Sequence, residues 1–93
     1  MKNLEYSNKI GELYKLTTPI FAYEYNEFVN YQDALNTQMR MIEFPRNHYI
    51  EEGNIILLLE IVNLHSISND LYKFLFYKQI YVTTINNIKM IKI

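Results

Sequence analysis

The sequence predicts an α+β domain: two helices packed on an antiparallel sheet of about four strands. Three observations predict it. Residues 54–64 (N-I-I-L-L-L-E-I-V-N-L) place Ile, Leu or Val at eight of eleven positions. That run is far below the roughly 20 residues of a membrane helix, and its Ile/Val content reads as a central strand buried on both faces. Phe28, Tyr31, Leu35, Met39 and Ile42 recur at steps of three and four, the stripe of an amphipathic helix. Near the C-terminal end, two alternating runs meet at Asn86-Asn87, a pair suited to a two-residue hairpin turn.

Taken in order, residues 3–16 fit a short first helix. Leu4, Ile10, Leu13 and Tyr14 share a stripe, Glu5 and Lys9 form an i,i+4 pair, and Gly11 weakens the pattern. Thr17-Thr18-Pro19 ends it, because the residue before a proline is pushed out of the helical region. Residues 20–25 then alternate as a strand, with Phe21, Tyr23 and Tyr25 on one face and Ala22 and Glu24 on the other. Asn26 is the expected N-cap of the second helix, residues 27–43, with Glu27 in its first turn. Pro45 stops that helix, and residues 45–54 read as a polar connection turning at Gly53.

Residues 66–85 support two readings. Ser68 and Asp70 resemble a helix cap, with Leu71, Phe74, Leu75 and Lys78 on one helical side. Against this, Tyr72, Phe74, Phe76, Ile80 and Val82 alternate with Lys73, Tyr77, Gln79, Tyr81 and Thr83, Leu75 being the exception on the polar face. Aromatic and β-branched enrichment tips the expectation to strand. Residues 88–93 close the sheet, with Lys89 and Lys92 guarding an edge.

The 93 residues make a single domain, with neither repeat nor linker. There is no cysteine, which excludes disulfides, thiolate metal sites and a cysteine nucleophile. The first 16 residues are charged and hold no apolar signal core, so a cytoplasmic location is expected. Net charge is -1, unevenly spread: residues 21–60 carry seven acids against Arg40 and Arg46, whereas residues 61–93 carry four lysines against Asp70. Asn, Ile, Lys and Tyr supply 11, 13, 7 and 9 residues, a usage typical of AT-rich genomes and so of phages, plasmids and low-GC bacteria.

Catalytic signatures are missing. His48 lies near Arg46, Glu51 and Glu52, and His65 lies beside Ser66, but neither has metal-ligand spacing. Ser7, Ser66 and Ser68 stand in no nucleophile motif. Two glycines, Gly11 and Gly53, cannot build a phosphate-cradling loop. No catalytic residue, metal or cofactor is therefore expected.

Nine tyrosines point elsewhere. Tyrosine offers a stiff contact area with a hydroxyl and is enriched at the energetic centres of interfaces. Tyr23, Tyr25, Tyr72, Tyr77 and Tyr81 are the candidate protein-binding residues. The expected function is a non-enzymatic protein-binding module, a phage or mobile-element inhibitor of a bacterial machine in the manner of anti-CRISPR proteins. Two alternatives stay open. One is nucleic-acid binding through Lys73, Lys78, Lys89 and Lys92 on a basic C-terminal hairpin. The other is a homodimer built by pairing residues 88–93 across a two-fold axis. No membrane association is expected.

Overall fold

The computed structural model describes residues 10–37, 44–63, 70–85 and 88–93. Among them run β1 (Leu13–Leu16), β2 (Ile20–Glu24), α1 (Tyr25–Asn36), β3 (Asn47–Ile50), β4 (Ile55–Val62), β5 (Leu71–Phe76), β6 (Gln79–Thr84) and β7 (Met90–Lys92). The strands form one antiparallel sheet in the order β3-β2-β6-β5-β4-β1-β7, curled into a half-barrel with the short helix on its convex side. The expected four strands and two helices are thus corrected to seven strands and one helix among the described residues.

Chain length forces the curl. β1 and β2 stand four places apart in the sheet, about 19 Å if the sheet were flat. Only Thr17, Thr18 and Pro19 join them, and the four Cα steps from Leu16 to Ile20 reach at most about 14 Å. β3 and β4 are also four places apart and are joined by four residues. Neither connection fits a flat sheet. The two are stitched together: Leu16 N–H donates to the Asn54 carbonyl at 2.9 Å, and Gly53 N–H donates to the Leu16 carbonyl at 2.8 Å. Gly53 holds φ +90°, a left-handed conformation that costs glycine little.

Strand alternation sorts the side chains into two layers. Tyr14, Leu16, Ile20, Ala22, Leu58, Tyr72 and Phe74 point inward and are buried in the concave core. On the convex side, Phe28 of α1 packs on Leu71 and Val82, with Tyr23, Tyr25 and Val62 around them. Thr83, a buried polar residue, satisfies its hydroxyl by donating to the Phe21 carbonyl at 3.0 Å.

Several elements depart from the sequence expectation, each for a local reason. Of the first expected helix, residues 1–9 lie outside the described residues, and Leu13–Leu16 is a strand. Its burial alternates, with Tyr14 and Leu16 in and Leu13 and Lys15 out, because sheet pairing on both sides outweighs a weak helical stripe. α1 is shorter than expected, ending at Asn36; residues 38–43 lie outside the described set. Its N-cap is Glu24 and not Asn26: the Glu24 carboxylate accepts from the N–H groups of Asn26 and Glu27, each at 3.0 Å.

Within the expected polar connection, Asn47–Ile50 forms the edge strand β3, with His48 and Ile50 turned inward. β4 is an interior strand, but it is not buried on both faces: Ile55 is half exposed. The strand reading of residues 71–79 holds, divided by a two-residue turn at Tyr77-Lys78 that nothing in composition announces. β7 lies at the sheet edge but pairs with β1 and not with β6, so it is no hairpin partner of the preceding strand; Asn86 and Asn87 lie outside the described residues.

Candidate functional site

The convex face is only half covered. On β5, Leu71 lies under α1, while Lys73 sits with its ammonium 4.1 Å from the centre of the Tyr25 ring and 3.5 Å from Glu60. Beyond Lys73 α1 no longer covers the sheet, and among the described residues Leu57, Leu75 and Ile80 are partly exposed and Leu13 half exposed. There Ile80, Leu75, Leu57 and Leu13 stand directly opposite one another across β6, β5, β4 and β1. Side chains so paired lie about 5 Å apart, so the four make one continuous aliphatic row. The next row along holds Ile55, Lys15 and Ile91. Leu13, Ile55 and Ile91 are each at least half exposed.

Tyr77 stands at the corner of this surface. It follows Leu75 by two residues, which sets the β5–β6 turn beside the Ile55 end of β4. The residue is 82% exposed and has φ 56°, the one positive φ among described residues other than glycine. It occupies the first of two turn residues, the place that hairpins of type II′ give to glycine. A bulky side chain held there is strained by about 1–3 kcal/mol. Its ring rests on Phe76, centroid to centroid 4.5 Å.

The other tyrosine candidates do not join Tyr77. Tyr72 is buried in the core with 1% exposure, and Tyr81 faces inward against Phe74 and His48. Tyr23 stacks on Phe28 at 5.6 Å, and Tyr25 lies beneath Lys73 at the start of α1. These five residues therefore sit in three surroundings and form no single patch. The aliphatic row went unnoticed in the sequence, although Leu75 as the exception to an alternating pattern was its visible trace.

Among the four lysine candidates, Lys73 is held by Glu60, and the Lys92 ammonium lies 2.7 Å from Glu12, whose carboxylate pushes its pKa upward. Lys78 and Lys89 are exposed. His48 faces the concave side on β3, its ring meeting the Tyr81 ring edge-on at 5.3 Å; its Nε2 is buried and has no hydrogen-bond partner among the described residues. No group of three or more His, Cys, Asp or Glu able to hold a metal occurs among the described residues, and no helix there is long and apolar enough to cross a membrane.

One ion pair anchors the start of α1 to the chain entering β3. Arg46 donates from its guanidinium to Glu27 at 2.9 Å and from its backbone N–H at 3.3 Å. The side-chain bond, then the backbone bond, pulls the Glu27 carboxyl below its usual 4.5. A carboxyl lowered on folding lends stability above its unfolded pKa and loses it as pH falls through the folded value. Arg46 is exposed and Glu27 partly so, which keeps the effect small. In Arg46→Ala the Glu27 carboxyl is expected to titrate at higher pH than in the natural chain, because the side-chain bond is lost while the backbone bond remains, read by carbon-detected NMR. An unchanged titration in that variant would assign the shift to another cause.

A second opening lies where α1 meets the sheet. A cavity of about 280 Å³ is lined by Phe21, Tyr23, Phe28, Leu71 and Val82, with Asn47, Thr83 and Thr84 as its polar margin. Beside it, Phe21 and Tyr49 are exposed, their rings 5.2 Å apart.

Comparison with protein-family models, with curated proteins and with solved structures finds no match to this chain. What the molecule does must therefore be argued from its own surfaces.

Proposed function

We propose that this chain is a small protein-binding module without enzymatic activity, which works by covering a surface of a larger protein. The observation that carries this reading is the part of the convex surface that α1 leaves uncovered: a partly exposed aliphatic row across four strands, extended by the exposed Ile55 and Ile91, with Tyr77 exposed at its corner. Contiguous exposed apolar area on a small domain marks a contact surface, whereas scattered apolar residues do not. Tyrosine is among the residues enriched at interface centres. Lys15 stands between Ile55 and Ile91 in the second row, and the exposed Lys78 and Lys89 supply a polar rim.

The biological setting proposed is that of a phage or mobile-element inhibitor acting on a bacterial machine inside the cell, as anti-CRISPR proteins do. Its support is the AT-rich residue usage and the lack of any catalytic motif in the sequence. A partner is engaged by occupancy alone, so no cofactor is needed.

The test is affinity capture from lysate of a low-GC bacterium, with and without nuclease, using the natural chain beside Leu13→Lys. Leu13 is half exposed, so the substitution is expected to leave the fold intact. It puts a charge at the β1 end of the row, beside Leu57, and is expected to weaken the captured complex by about 2 kcal/mol, some thirtyfold. A partner held equally by both chains would sink the assigned surface. Capture that disappears with nuclease would replace the protein partner with a nucleic acid. A mass of two chains for the purified protein, falling to one in Leu13→Lys, would show the surface to be a homodimer contact.

A further inference from the structure

We propose that the outer edge of β3 accepts an extended, lysine- or arginine-bearing segment of a partner protein, and that the cavity beside α1 takes one apolar side chain of that segment. This site is separate from the aliphatic row and stands without it.

The two edges of the sheet differ in how they are protected. β7 carries Lys92 and is preceded by Lys89, and lysine on an edge discourages pairing with other chains. β3 (N-H-Y-I) has no lysine, no proline and no break in its register with β2. Nothing pairs with its other side among the described residues. An open edge of this kind offers backbone N–H and C=O groups to an added strand, the general mode by which sheets bind extended peptides.

Specificity comes from what flanks the edge. Asn47 pairs with Tyr23, and Tyr49 pairs with Phe21, so all four side chains look out on the convex face. A strand laid along β3 would set alternate side chains on that face about 7 Å apart. One falls beside Tyr49 and the next beside Asn47, which lines the cavity. A four-residue edge supplies few backbone bonds, so the side chain entering the cavity contributes much of the affinity.

The charge of the segment follows from the ends of β3. Glu51 and Glu52 come directly after Ile50, are exposed, and make no ion pair among the described residues. At the other end the charge of Arg46 is already met by Glu27 at 2.9 Å. The rim therefore presents uncompensated carboxylates, which favour a cationic segment and repel an acidic one.

The test uses the full chain and a short capped peptide of alternating lysine and valine with one central phenylalanine. Binding followed by NMR is expected to slow hydrogen exchange at those β3 amides that point away from β2 and to shift Phe21, Tyr23 and Val82. The same peptide with glutamate for lysine is expected to bind at least about tenfold more weakly, as is the lysine peptide to a Glu51→Lys, Glu52→Lys double variant. Leu13→Lys is expected to bind the peptide unchanged, which keeps this site distinct from the aliphatic row. The proposal is overturned if millimolar peptide does not bind, if binding leaves β3 exchange unaltered, or if the lysine and glutamate peptides bind alike. β3 amides already protected in a chain of doubled mass would assign the edge to a second copy, and would overturn it too.

Discussion

Phe74→Ala is expected to destabilise the protein by about 3–5 kcal/mol, the usual cost of removing a phenyl ring from a close-packed interior. Phe74 has no exposed surface and lies opposite Leu58 on β4 and Tyr81 on β6, so neighbours on both sides lose contacts. Small domains hold about 5–15 kcal/mol in all, so this one change takes a large share. Urea unfolding followed by circular dichroism measures it, with Phe44→Ala as the companion. Phe44 is 75% exposed, and its truncation is expected to cost well under about 1 kcal/mol. Equal losses for the two variants would mean that the concave side of the sheet is not the core.

Tyr77→Gly is expected to move stability and binding in opposite directions. Glycine adopts positive φ without strain, so the folded protein is expected to gain about 1 kcal/mol, partly offset by the greater freedom of glycine in the unfolded chain. Binding of the partner captured through the convex surface is expected to weaken by about 2 kcal/mol, since the exposed ring at the corner is lost. A residue kept only for folding would not occupy a position where its replacement stabilises the fold. Thermal denaturation and an affinity titration on the same preparation decide the matter. Lower stability with unchanged binding would make Tyr77 a structural residue packed on Phe76 and remove it from the interface.

Much of the strand content was legible because β2 and β6 alternate in side-chain type and β5 continues the pattern except at Leu75. The topology was not. Nothing local in Leu13–Leu16 says that it pairs with residues near 56 and near 91, and a four-residue strand carries too little pattern to outweigh a helical stripe. β3 was hidden for the same reason, since N-H-Y-I beside Glu51 and Glu52 has the composition of a loop. The β5–β6 turn escaped because its first residue is a tyrosine where glycine is the usual signal.

The site was legible only in part. Tyr77 and Tyr72 are not separable by sequence, because both stand in the same aromatic-rich run, yet one is exposed in the β5–β6 turn and the other buried on β5. The aliphatic surface is written into β4, where apolar residues fill both faces of the strand. Such a run is the mark of a strand covered on both sides, and here the second cover is not provided by α1.

The pairing of β1 with β7 has a consequence in time. Leu16 lies beside Met90, and β4 fills its place only with β1 and β5 on either side. During synthesis, at about 5–20 residues per second, the earliest strand must wait several seconds for its last neighbour to leave the ribosome. Contacts of such long sequence separation also carry a large loop-closure cost before they return any stabilisation, which places refolding of this chain in the millisecond-to-second range of sheet proteins. Until then the apolar β4 and the unfinished β1 edge are open to other chains. A host that makes this protein must bring each chain through that interval unpaired.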